Sequence, residues 1–363
     1  MCGFFGAIST YENLNLDSIY KASKRISHRG PDDFGYFFSN KNDFRSSKYN
    51  RNNKEINFNN LLNEINIQKY NVAFFFYRLS IIDLSDEGHQ PFYENERYIL
   101  NFNGEIYNYV ELREYLKTQN FEFKSKSDTE VLYKLLVNEK LDCLNKLNGM
   151  FAISLYDKVS KKLFLVRDRF GVKPLYYSIV NEKFYFSSEI KPLLEINEKS
   201  KKINQDIFLS FLDNDNIANF KETPFSGLYQ VKSGSYLEVS FNNKSHEYKE
   251  VRWYQPELLR SNVIFKDAQE KLVSQFSNSV KIRMRSDAKF GVFLSGGLDS
   301  SLISILASKD KKIETISFKS DLKKYDEEEF VKNVLNENQN ISNLSFTFSE
   351  TDYLKNINEV VVS

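Results

Sequence analysis

Residues capable of chemistry fall into two groups along the chain. The first begins at Cys2, whose thiol, once deprotonated, is a strong nucleophile. Met1 precedes a small residue, so its removal is expected to leave Cys2 with a free α-amine of pKa near ~8. One residue would then carry nucleophile and general base. Arg78 lies in an apolar, β-rich stretch, where an arginine needs an anion and offers a forked grip on a carboxylate. It reads equally as a structural ion-pair partner. Asn103 and Gly104 can supply an amide and a backbone N–H to an oxyanion, or form an Asn-Gly hairpin turn. Glu105 and Asp128 are carboxylates suited to an ammonium group, although Asp128 also suits a helix cap. The second group is Leu294, Ser295, Gly296, Gly297, Asp299, Ser300 and Ser301. Small residues between a strand and a helix bring backbone N–H donors and hydroxyls to a phosphate. Asp299 could hold a Mg²⁺ that bridges phosphates.

These groups need elements to position them. Phe4–Ile8, Val72–Tyr77, Tyr98–Phe102, Leu147–Tyr156, Lys162–Val166 and Phe184–Ser188 read as strands; Ser18–Ser27, Tyr109–Asn120 and Val131–Leu136 read as helices. Residues 28–33 read as a loop, and 167–177 as core and interface structure without chemistry. Lys41–Lys69 is polar and Asn-rich, with a weak helical pattern at Leu61, Leu62 and Ile65, and reads as a surface excursion. Pro224–Val231 and Ser235–Phe241 read as short strands, with a turn over Asn242–Lys244. The long amphipathic stretch Phe265–Arg285 leads to the strand Phe290–Leu294. The order then runs helix, strand (Ile313–Phe318) and helix (Glu327–Asn338), the pattern of a parallel sheet with ligand at strand C-termini. Domain boundaries are expected at 2–213, 214–252 (connecting strands) and 253–363.

The 363 residues suffice for two domains, and a net charge of +1 makes no electrostatic case for nucleic acid or an acidic membrane. No apolar run reaches spanning length, and the start lacks the pattern of a signal peptide. Two cysteines (Cys2, Cys143) make no disulfide framework, so a reducing cytoplasmic location is expected. Three histidines (His28, His89, His246) without ligand spacing argue against a zinc site.

The loop Leu294–Ser301 resembles the Ser-Gly-Gly-x-Asp-Ser loop of N-type ATP pyrophosphatases. With Met1-Cys2-Gly3, Arg29-Gly30-Pro31-Asp32, Arg78–Asp83, Asn103–Tyr107, Ser127-Asp128 and Arg167–Tyr176, in this order, the chain resembles the glutamine-hydrolysing asparagine synthetases. The resemblance implies an α+β N-terminal-nucleophile (Ntn) hydrolase αββα sandwich, followed by the first part of a Rossmann-like α/β ATP-pyrophosphatase domain. Cys2 would attack the side-chain amide of glutamine, with Asn103 and Gly104 holding the oxyanion. Arg78 would take the α-carboxylate, Glu105 and Asp128 the ammonium, and the backbone of Leu79, Ser80, Ile81 and Ile82 would line the pocket. Ammonia would pass through an internal tunnel to β-aspartyl-AMP made from aspartate and ATP. Leu294 and Ile316 would contact adenosine, while Ser295, Gly297, Asp299 and Ser300 would serve pyrophosphate and Mg²⁺. A homodimer is also implied. The family's second domain runs well beyond the equivalent of Ser363, so a fragment or a truncation is expected. Two rival readings remain. One is a related amidotransferase acting on another carboxylate, such as a sugar acid; the other is a stand-alone glutaminase or binding protein.

Overall fold

Gly3–Ser9 (β1) is apolar or small throughout and buried along its whole length. A strand buried on both faces needs cover on both, which places it inside a layered structure. The computed structural model describes the chain except residues 11, 41–42, 48–69, 215–219, 243–244, 258–262, 321–323, 325, 350, 353 and 358–363. The expected helical pattern at Leu61–Ile65 and part of the Asn242–Lys244 turn lie outside the described residues. The chain divides into two units, Met1–Leu258 and Leu259–Ser363.

The first unit holds two antiparallel sheets. One has seven strands, and β1 sits in it between Val72–Arg78 (β4) and Lys183–Ser187 (β9). Its flanks are Asp33–Ser39 (β2) and Phe44–Ser46 (β3) beyond β4, and Tyr176–Val180 (β8) and Leu228–Gln230 (β10) beyond β9. The second sheet orders His246–Arg252 (β12), Ser235–Phe241 (β11), Lys162–Arg167 (β7), Gly149–Asp157 (β6) and Tyr98–Ile106 (β5).

Alternation sends Phe4, Ile8, Phe37, Phe74 and Phe76 of the first sheet toward Ile99, Ala152, Tyr156, Leu163, Leu165 and Val239 of the second. The opposite face of the first sheet (Phe5, Ala7, Phe38, Phe75) packs on the helices Leu16–Ser23 (α1) and Lys191–Ile196. The opposite face of the second (Leu100, Phe102, Phe151, Ile153) packs on Tyr109–Lys117 (α2) and Asp128–Glu139 (α3). The layers therefore run helix, sheet, sheet, helix, the αββα sandwich of an Ntn hydrolase. Phe74 bridges the sheets, with its ring 5.5 Å from that of Phe186 and 5.9 Å from that of Tyr156.

The second unit is a three-stranded parallel sheet, ordered Gly291–Phe293 (β13), Ile313–Ser320 (β14) and Ile341–Phe348 (β15). Leu298–Ser308 and Glu328–Glu337 connect the strands, as the strand–helix alternation requires. The helix Phe265–Arg283 adds Val280 to a small core of Ala307, Ile313 and Ile341. Among the described residues, no helix is long and apolar enough to cross a membrane.

Two local expectations change. Residues 214–252 are not a linker between domains: β10 pairs with β8 and β11 with β7, so the first unit runs past residue 213. Their strand partners lie far away in sequence, so the polar run after Leu212 looked like a boundary. Asn103-Gly104 makes no hairpin turn, because β5 continues through both residues to Ile106, paired with Ala152 and Phe151. Phe74→Ala should lower stability by about 3–5 kcal/mol through the cavity left between the sheets. A urea-unfolding midpoint measures this, and an unchanged midpoint would contradict the bridging role.

Candidate active site

Gly3 pairs with Tyr77, so Cys2 at the start of the central strand lies against Leu79, just past the end of β4. The Leu79 N–H donates to Cys2 Sγ at 3.3 Å, and Sγ lies 3.5 Å from the Leu79 carbonyl. The Cys2 carbonyl accepts from Arg29 Nε at 2.8 Å, and Arg29 is held in turn by Glu189 at 2.9 Å. The thiol is thereby fixed from both its backbone and its sulfur.

Sγ faces a cavity of about 120 Å³. Of the sequence-predicted residues, Cys2, Arg78, Leu79, Ile81, Ile82, Asn103, Gly104, Glu105 and Asp128 all line it. Ser80 does not; its N–H is taken by Asp32 Oδ2 at 2.7 Å. Gln90, Phe102, Thr129, Met150 and Lys173 also line it, none of them singled out from sequence. Lys173 had a legible signal, a lysine inside an otherwise core-like segment, and was read as structure.

Three strand and helix ends converge here. β5 delivers Asn103, whose side-chain amide nitrogen is buried and has no hydrogen-bond partner. A buried donor left unpaired costs about 1–3 kcal/mol, so this one is poised for a ligand oxygen. Gly104 lies beside it because a Cβ there would come within 2.2 Å of the Met150 carbonyl. α3 delivers Asp128 at its first position. Ser127 serves as the cap, accepting from the Thr129 N–H at 3.0 Å, and Asp128 Oδ2 accepts from the Ile106 N–H at 3.0 Å. Arg78 is buried and donates to the carbonyls of Ser85, Ile82 and Asp83, so Nε and one further N–H stay available.

The electrostatics follow from burial. Burial pushes the Cys2 thiol up, while the Leu79 N–H, the chain's α-ammonium and Arg78 pull it down. Burial and then the neighbouring Asp128 hold Glu105 well above the ordinary carboxylate range, with Lys173 opposing. Burial likewise raises Asp128, against hydrogen bonds from backbone N–H groups and the charge of Arg78. Two adjacent acids in a dry pocket resist joint ionisation, and a cation placed between them would relieve both.

In the second unit, a cavity of about 500 Å³ is lined by Phe293, Leu294, Ser295, Ile316, Phe318, Lys319, Ser320 and Glu327. Leu294, Ser295 and Ile316 are thus brought together as expected. Gly296, Gly297, Asp299, Ser300 and Ser301 are not in that wall; they form the adjoining turn and the first turn of Leu298–Ser308. Gly296 has φ +85°, a left-handed conformation that glycine adopts without strain. Ser300 Oγ accepts from the Ser295 N–H at 3.2 Å, and Ser301 Oγ is buried without a partner. Unpaired helix-end N–H groups beside an orphaned hydroxyl fit a phosphate, and the exposed Asp299 carboxylate fits a magnesium ion on it.

A layered Ntn-hydrolase unit with a cysteine on its central strand, followed by a parallel-sheet unit with a Ser-Gly-Gly loop, defines a glutamine amidotransferase joined to a nucleotide-type domain. The family models agree: a glutamine amidotransferase domain matches residues 63–254 and asparagine synthase matches 271–363. The chain belongs to the glutamine-hydrolysing asparagine synthetase family. It is 33% identical over 326 residues to putative asparagine synthetase [glutamine-hydrolyzing] 2 of Methanocaldococcus jannaschii, covering 84% of this chain and 56% of that protein. It is 29% identical over 372 residues to asparagine synthetase [glutamine-hydrolyzing] 1 of Bacillus subtilis, covering 99% of this chain and 52% of that one. The chain spans about half the length of these relatives. Among solved structures, glutamine phosphoribosylpyrophosphate amidotransferase from B. subtilis superposes with a TM-score of 0.51 at 18% identity, over 70% of this chain and 50% of that chain, a likeness of fold.

Glu105 and Asp128 bind their protons more tightly folded than unfolded. Their contribution to stability is therefore present at low pH and is lost as pH rises through the raised folded-state values. Glu105→Gln should melt at a higher temperature than the wild type at neutral pH, with the advantage shrinking toward pH 4. A pH series of thermal melts reads this, and parallel curves would refute the strained acid pair.

Proposed function

We propose that the first unit hydrolyses glutamine to glutamate and ammonia, and that the ammonia amidates an adenylated carboxylate, most simply β-aspartyl-AMP, to give asparagine, AMP and pyrophosphate. The observation that carries this reading is the single cavity that gathers Cys2, Arg78, Asn103, Gly104, Glu105 and Asp128. Its charges complement free glutamine, with one arginine for the α-carboxylate and two acids for the α-ammonium. An ammonium between Glu105 and Asp128 would draw both into their charged forms.

With Met1 removed, the Cys2 α-amine takes the thiol proton, directly or through a water. The sulfur attacks the amide carbon. The carbonyl oxygen, now negative, is met by the unpartnered Asn103 amide and the Gly104 N–H. Collapse expels ammonia, and water then hydrolyses the thioester to glutamate. In the second unit, the Gly296-Gly297 turn and helix start would bind the pyrophosphate of ATP, and the apolar wall of Leu294 and Ile316 the adenine. Mg²⁺ held by Asp299 would neutralise charge building on the leaving pyrophosphate. The names of the relatives favour aspartate over a sugar acid as acceptor.

Cys2→Ala should reduce glutamate release from glutamine to background. Asp299→Ala should abolish Mg²⁺-dependent ATP binding by calorimetry and leave glutamate release unchanged. Undiminished glutamate release by Cys2→Ala would overturn the glutaminase reading, and loss of both functions in Asp299→Ala would overturn the separation of sites. The Michaelis constant for glutamine should rise as pH falls below neutrality, because Glu105 and Asp128 take up protons above the usual carboxylate range.

A further inference from the structure

Lys173 is 5% exposed and lines the Cys2 cavity. Its ammonium has no hydrogen-bond or ion-pair partner among the described residues. An unpaired buried ammonium is costly, and burial followed by Arg29 lowers its pKa. Nothing in local packing compensates it, so whatever compensates it lies in the cavity.

The chain invests heavily in placing it. Asp168, buried at the end of β7, accepts from the N–H groups of Phe170 and Val172 with Oδ1, and from those of Phe151 and Lys173 with Oδ2, at 2.9–3.1 Å. Arg167 Nε donates to the Lys173 carbonyl at 2.9 Å, and its Nη2 to the Gly171 carbonyl at 2.9 Å. Two side chains thus tie the 168–173 loop to β6 and aim one lysine at the pocket. The groups facing that lysine are Arg29, Cys2, Glu105 and Asp168. The groups facing the thiol are the α-ammonium, Arg78 and Glu105, and Asp128 and Asp32 stand behind them. Glu105 has Asp128 beside it and rises in pKa, so it is a poor counter-ion for Lys173. The remaining anion within the cavity is the Cys2 sulfur.

We infer that Lys173 is a positioning residue whose buried ammonium holds the Cys2 sulfur as thiolate at neutral pH. The proton leaves Sγ for the α-amine or solvent, and no bond to Lys173 forms. The nucleophile is then charged before substrate arrives, and the lysine charge is compensated by the sulfur. The inference takes its substrate from the glutaminase reading, but the thiolate itself can be measured without glutamine.

The test is carbamidomethylation of Cys2 by iodoacetamide across pH 5–10, quantified on the Cys2-containing peptide so that Cys143 does not contribute. In Lys173→Met the titration should move up by about one pH unit, making Cys2 roughly tenfold less reactive at neutral pH. Lys173→Arg should stay near the wild type. Glutamate release should lose about tenfold in kcat with KM changed less than about twofold. Removing an unpartnered charge should not lower the melting temperature; Lys173→Gln, read the same way, stands in if Lys173→Met does not fold. Coincident titrations in wild type and Lys173→Met would overturn the inference. So would equal displacement in Lys173→Arg, which would mean shape and not charge matters. If the wild type releases no glutamate, the glutamine reading falls, while the titrations still decide the lysine.

Discussion

The antiparallel register of β1 against β4 is the constraint on which the first unit depends. It sets Gly3 opposite Tyr77, which brings the Cys2 sulfur to the Leu79 N–H and turns Arg78 into the same cavity. A slip of one residue would reverse every side chain of β1 between the two apolar layers. Phe4 and Phe5 face different cores, so such a slip is strongly disfavoured. The same burial that fixes the register fixes the thiol.

Burial has an electrostatic consequence. The cavity crowds two acids, two cations and a thiol into a space of about 120 Å³. Each group alone carries a desolvation penalty. The acids are raised, the lysine is lowered and the Asn103 amide is left unpaired. These are strains of an empty site, and a zwitterion carrying a carbonyl would relieve most of them at once. Such a pocket sacrifices some stability for binding, a common trade in sites built for charged ligands.

The second unit solves a different problem. Its parallel strands present their C-terminal ends to one cavity, and the Gly296-Gly297 turn keeps the helix N–H groups clear of side chains. The serines of the turn bond chiefly to one another, which shapes the loop and leaves Ser301 Oγ free.

Much of this was legible in the chain. Strand alternation, the Ser-Gly-Gly loop and the position of Cys2 are local signals, and the motif order identified the family with nearly every pocket residue. Tertiary structure decided what local signals cannot carry. Asn103-Gly104 reads as a turn because turn propensity is local, while its pairing with β6 is not. The strands after residue 213 read as a linker because their partners lie in β7 and β8. Lys173 reads as core because its role depends on a loop held by Asp168 and on a cysteine far away in sequence. Sequence by itself determines which residues can do chemistry, since that is a property of side chains. Which of them share a desolvated cavity, and so how each is charged, follows only when long-range strand pairing brings them together.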